Sequence, residues 1–377
     1  GKAILIDATG EFESFADKPE VESVEFNVNT FFHYSNLKVT DLFVLFRPSE
    51  QVQLPKLQEA IKSLKLVKVI NTKGTALSKA EQTIKNYIDD NNQLIKERKP
   101  RVDFLTAIKE NPEVENLNGD FDIENLAFQV YRECVYNPDF TVSTNYGGVN
   151  DRDNGSCQSL ITRILFVTKT DYFGKIFGMD GSNTDATEFS NKLTAFLVSD
   201  KKRLLRISLA KVPFENNVRE ILVNAIGRLL LDKARTENFL ETPVLTFIDE
   251  AHQFLNKRIK GEFAFEVELN AFDQIAKECR KYGLFLVLST QMPRDIPTGT
   301  LSQVGTFIVH RLINPHDKEA IENASSASSK NALAFLPILS EGEALLMGVD
   351  FPMPIILKVT LPKIEPKYKT PTIFKRK

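Results

Sequence analysis

From residue 204 to residue 290, apolar runs of strand length alternate with segments of helical period, and few architectures tolerate that rhythm. RLLRISL at 203–209 is followed by Pro213, then by Val218, Ile221, Leu222, Ala225, Ile226, Leu229 and Leu230 at close to helical spacing. VLTFID at 244–249 comes next. A segment at 265–281 reads as a helix closed by Gly283, and LFLVLS at 284–289 reads as a central strand because it is almost wholly apolar. Strands joined by crossover helices lie parallel, so the expected fold class is α/β, a mainly parallel sheet with flanking helices. AILID at 3–7 fits the same pattern and 39–46 reads as another strand. Further strands are expected at 306–310, 343–348 and 355–360.

The stretch between these blocks is polar and helical in composition, with few β-branched runs. It predicts a mainly helical insertion at 48–200, dividing a core whose parts are 1–47 and 201–360. The remainder, 361–377, is basic. Lys363, Lys367, Lys369, Lys375, Arg376 and Lys377 stand against Glu365 alone, with Pro362, Pro366 and Pro371 opposing regular structure. That pattern reads as a solvated tail, or as a strap onto a neighbouring subunit or a phosphate backbone. A net charge of −2 gives the chain as a whole no nucleic-acid signature. Cys134, Cys157 and Cys279 lack the spacing of a zinc site or a disulfide framework. No apolar run approaches the roughly 18 residues that span a bilayer, and the first residues lack a signal-peptide layout. The expectation is a cytoplasmic protein with no membrane partner.

Chemistry concentrates where the apolar runs stop. Asp249 and Glu250 follow the strand at 244–248, and acids at the carboxyl end of a buried parallel strand sit where open α/β sheets bind ligands. In a nucleotide triphosphatase Asp249 holds Mg²⁺ through a water and Glu250 polarises the attacking water. A strand ending in a solvated acidic turn looks the same at this one place. About forty residues on, Thr290 and Gln291 close the next strand, where they can meet a γ-phosphate or that water. Arg280 either complements a helix dipole or neutralises phosphate charge; Arg311, after a short strand, can reach a nucleotide in its own or an adjacent subunit. His252 follows the acids and is expected to set their loop or couple it to a partner surface. His33, His310 and His316 show no metal-ligand spacing.

Six blocks in order carry a resemblance: ILIDATGEFESF at 4–15, LLRISLAKVPFENNVREILVNAIGRLL at 204–230, VLTFIDEAHQFL at 244–255, ECRKYGLFLVLSTQMPRDIP at 278–297, FIVHRLINPHDKEAI at 307–321 and LSEGEALLMG at 339–348. Together they resemble the HerA family, hexameric DNA-translocating ATPases of the HerA–FtsK group. The resemblance implies a RecA-like (ASCE P-loop NTPase) fold, with ATP and Mg²⁺ as cofactors and a homo-hexamer threading double-stranded DNA. It gives Asp249 to Mg²⁺, Glu250 to the base, Gln291 to a γ-phosphate sensor and Thr290 to nucleotide contact. Arg280 becomes a phosphate-contacting arginine and Arg311 a second, trans-acting candidate. It also implies a partner nuclease or a Sir2-type NAD-consuming effector in repair or phage defence, for which the ring alternatively serves as a scaffold. One motif of the family is missing from these 377 residues, the phosphate loop GxxxxGK[ST]. Gly1-Lys2-Ala3 is too short for it, so the expectation is a longer polypeptide, and weak or no hydrolysis by this chain alone.

Overall fold

In the computed structural model, residues 1–139, 143–179, 186–237, 239–255, 257–260, 266–325, 331–349, 351 and 353–364 are described. The main sheet uses β1 (Lys2–Asp7), β2 (Val21–Glu25), β5 (Leu204–Ser208), β6 (Val244–Ile248) and β9 (Leu284–Leu288) in the order β2-β5-β1-β6-β9. The short pair β3 (Thr30–Phe31) and β4 (Thr187–Glu188) lies beside it. Every pairing in the main sheet is parallel, with Ile4 level with Leu205 and Thr246, and Ile248 level with Leu288. The carboxyl ends of β1, β5, β6 and β9 therefore come to one edge, as the alternating pattern requires.

One face of the sheet is fully packed. Ile4, Ile6, Leu205, Ile207 and Ile248 are buried in one cluster with Ile221, Leu222, Ala225 and Ile226 from the long helix at 218–237. The opposite face is only partly covered by the described residues near β9, where Leu245, Phe285 and Val287 remain 36%, 39% and 37% exposed. LFLVL was expected at the centre of the sheet; among the described residues it pairs only with β6 and forms an edge. An edge strand carrying no charge, with apolar side chains in solvent, is a surface that folded proteins ordinarily cover.

The helices are α1 (Val39–Phe46), α2 (Gln53–Lys73), α3 (Lys79–Lys85), α4 (Arg101–Glu110), α5 (Leu126–Arg132), α6 (Asp151–Thr168), α7 (Asp171–Phe177), α8 (Phe189–Val198), α9 (Val218–Glu237), α10 (Ala271–Glu278), α11 (Thr298–Leu301) and α12 (Pro315–Ala324). The stretch expected to be a strand at 39–46 is thus α1. Its residues from Asp41 to Phe46 are buried all round, so the apolar run has no readable period. The helix is fixed instead by Asp41, which accepts the Lys38 N–H at 2.8 Å and pairs with Arg228 of α9. Helices α2 to α8 occupy the region expected to be helical. Of these, α2 packs on α5 and α5 on α6, with Leu57, Leu64, Val130 and Leu160 joined to the same core as the sheet.

One further expectation changes, and the C-terminal strands form where they were expected. The segment at 265–281 opens not as helix but as β8 (Glu266–Leu269), which pairs antiparallel with β7 (Lys257–Lys260) before α10 begins. Residues 256 and 261–265 lie outside the described set. The strands β10 (Thr306–Val309), β11 (Glu343–Gly348) and β12 (Ile355–Lys358) form a separate antiparallel sheet over Phe307, Leu336, Leu345 and Met347, rather than extending the parallel one. Most of the basic tail, 365–377, is likewise outside the described residues.

Candidate active site

The turn after β6 is short and strained. Asp249 donates its N–H to Ile6 O at 3.1 Å, continuing the ladder with β1, and Glu250 then adopts φ 48, ψ 47. A non-glycine residue in that left-handed region costs about 1 kcal/mol, so its neighbours must hold it there. They do: the Ala251 N–H donates to Ser289 O at 2.9 Å, and the Gln253 N–H donates to Glu250 O at 2.9 Å. The result turns the Glu250 carboxylate toward the end of β9.

There Gln291 Nε2 donates to Glu250 Oε1 at 2.8 Å. His252 Nδ1 stands 3.1 Å from Thr290 Oγ1 and 3.2 Å from Glu250 Oε2. The second contact has the separation of an ion pair without the alignment of a hydrogen bond, which leaves Oε2 buried with no hydrogen-bond partner. Such an oxygen costs about 1–3 kcal/mol until a donor arrives, and in a native site it marks where one is expected. A water is the simplest donor.

Asp249 differs from its neighbour. Burial pushes its carboxyl up to about 6, and the charges of Glu250, Asp7 and Glu11 add to the rise. A carboxylate disfavoured by burial and by other negative charge is relieved by a cation, which suits a hard divalent ion with oxygen ligands. No group of three or more metal-ligating side chains exists among the described residues. One carboxylate, with waters and phosphate oxygens filling the remaining positions, is how Mg²⁺ is commonly held. Asp7 is not free to join. Its Oδ1 accepts the Gly10 N–H at 2.8 Å, and its Oδ2 accepts Arg206 Nε at 2.8 Å and Nη2 at 2.7 Å in a pair almost wholly buried. Arg206 reaches on to Ser23 Oγ at 3.2 Å, so this pair locks β2, β5 and β1 under the site.

Asp249, Glu250, Thr290 and Gln291 are therefore brought together. Arg280 is not. It lies in the turn before β9, whereas the acids lie beyond the strand's far end, about 17 Å away for five extended residues. The fold therefore does not bring Arg280 to the acids of the same chain. Arg311 is exposed after β10, on the separate sheet. Lys2 is also at the wrong end, with its Nζ bonded to the carbonyls of Phe196 and Ser199. Sequence reasoning missed Asp7 and Arg206, although an apolar run closing on an acid, AILID, repeats the signal at 244–249.

Residues 237–363 match the family described as Helicase HerA-like C-terminal. The Probable helicase MJECL08 of Methanocaldococcus jannaschii is 37% identical over 120 residues, covering 32% of this chain and 22% of that protein. The DNA double-strand break repair helicase HerA of Pyrococcus furiosus is 24% identical over 186 residues, covering 49% of this chain and 33% of that protein. The chain spans about a third or less of the length of these relatives. Among solved structures, the bacterial conjugative coupling protein TrwBdeltaN70 superposes with a TM-score of 0.50 at 10% identity, over 98% of this chain and 81% of that one. At that identity the likeness is one of fold, a RecA-like parallel sheet with flanking helices.

Proposed function

We propose that this chain, a HerA-family protein by its matched region and its relatives, forms the acid-and-sensor side of an ATP-driven DNA motor. The observation that carries the reading is the Glu250 carboxylate, strained toward β9, gripped at Oε1 by Gln291 and open at a buried Oε2. A carboxylate held at one oxygen with the other uncommitted suits a general base. Bound Mg²⁺–ATP supplies the reactive γ-phosphoryl group and the cation that neutralises it. The chain's own residues would divide the rest: Asp249 would hold the ion, Glu250 would take the proton of the attacking water, and Gln291 and Thr290, at the end of β9, hold the acid's surroundings in place.

The phosphate cradle is not among these residues. The 377 residues contain no GxxxxGK[ST], and Lys2 is engaged elsewhere. We place the cradle in a segment outside them, a strand on the open edge of β9 followed by a helix over Leu245, Phe285 and Val287. The open edge and partly covered face support this. Arg280 and Arg311 then serve a nucleotide in an adjacent copy, which agrees with a ring. A homo-hexamer on double-stranded DNA, working with a nuclease or a Sir2-type effector, completes the proposal.

The test is Glu250→Gln in protein expressed from the complete gene. Steady-state ATP turnover is expected to fall by about 10² or more with unchanged assembly mass. Unimpaired turnover removes Glu250 from the role of base.

A further inference from the structure

The Glu250 carboxylate is gripped on one side only, and a single ring stands on the other. His252 Nδ1 is within 3.2 Å of the open oxygen Oε2 and within 3.1 Å of Thr290 Oγ1. With one atom, His252 touches the acid that follows β6 and the hydroxyl that follows β9. We propose that His252 is a positioning residue for Glu250, tying the acid's strained turn to the end of β9 through Nδ1. The inference rests on the ATPase reading above and deepens it.

The hydrogen-bond inventory decides how the tie works. Thr290 Oγ1 already accepts the Met292 N–H at 3.0 Å, so its own hydrogen is free to be donated to Nδ1. With Nδ1 accepting, the neutral ring carries its hydrogen on Nε2 and has nothing at Nδ1 to donate to Glu250. Oε2 then stays open for the water. In the other tautomer Nδ1–H becomes a donor beside Oε2 and competes with that water. Thr290 as donor thus favours the tautomer in which Oε2 remains available, and its bond to Nδ1 holds the turn that carries Glu250 against the end of β9.

Asparagine at 252 carries an amide that overlays Nδ1, while glutamine reaches toward the position of Nε2, which separates this role from mere filling of space. In protein from the complete gene, His252→Ala and His252→Gln are expected to lower kcat about tenfold or more while KM for ATP stays within about twofold. His252→Asn is expected to return kcat to within about threefold of wild type. Thr290→Val should lower kcat as His252→Ala does, and the double variant should be no slower than either single one. Activity in His252→Gln with loss in His252→Asn overturns the assignment, as does a double variant whose losses multiply. If the wild type does not hydrolyse ATP, or Glu250→Gln is unimpaired, it is the ATPase reading that fails. The Nδ1 contact is then judged alone by long-range proton–nitrogen spectra of histidine-labelled protein, which has four histidines. A His252 Nδ1 without hydrogen whose resonance moves in Thr290→Val upholds the tie. One that carries hydrogen, or that Thr290→Val leaves unmoved, overturns it.

Discussion

Asp249 and Glu250 are adjacent acids in different surroundings, and the protein separates them by backbone and by hydrogen bonding. Glu250 leaves the strand through a left-handed turn and meets Gln291, while Asp249 stays at the strand end among other acids. The folded value of about 6 for Asp249 is above its ordinary 3.8, so the folded state binds the proton more tightly than the unfolded chain does. Stability accordingly falls as pH rises from about 4 to about 6, and above that window the penalty is fully present. Asp249→Asn is therefore expected to be more stable than wild type at pH 7.5, by on the order of 1 kcal/mol once solvent screening of this partly exposed group is allowed for. Chemical denaturation across pH checks it: the gain should vanish near pH 4, and a gain independent of pH would assign the effect to something other than this carboxyl. At this scale the sequence was informative where function demands an unusual residue at a strand end, since acids after VLTFI and Thr-Gln after LFLVLS are conspicuous. It expected His252 to set the acids' loop or couple it to a partner surface, but was silent on Thr290 as its contact, because only folding brings Thr290 to it across 38 positions.

Strands whose side chains are buried on both faces, such as β1 and β5, read clearly as apolar runs, and β6 and β9 also stand where their runs predicted. The same rule misled at α1, where VTDLFVLF is buried all round and tertiary packing rather than period chooses the helix. It misled again at β9, whose apolar faces imply cover that the described residues provide only in part. That mismatch gives an element-scale prediction. In the 377-residue chain, Phe285→Lys should change unfolding free energy by less than about 1 kcal/mol, because the side chain already meets solvent. In protein from the complete gene it should cost about 2–4 kcal/mol, since a cation is forced under a covering segment. Denaturant titration of both proteins makes the comparison, and an equally small cost in each would leave β9 a true edge. The pair β7–β8 was not legible at all, because KRIK has a single apolar residue and EVEL alternates charge with apolar residues over only four positions.

As a whole, the molecule brings Glu250, His252, Thr290 and Gln291 together at one edge of its parallel sheet. The polarity of β9 puts Arg280 at the opposite edge of the sheet from Glu250. The same polarity strands Lys2 at the amino end, bonded to the carbonyls of Phe196 and Ser199. The chain was readable at this scale as α/β with a helical insertion. What was not readable was the split between the parallel sheet and the antiparallel sheet of β10, β11 and β12, because pairing partners are set by packing at long sequence separation. The most direct measurement is steady-state ATP turnover with double-stranded DNA present, on the 377-residue chain and on protein from the complete gene at equal concentration. Turnover at background in the chain and robust in the longer protein is the predicted result. Equal turnover in both would contradict the claim that these residues hold only the acid-and-sensor side of the site.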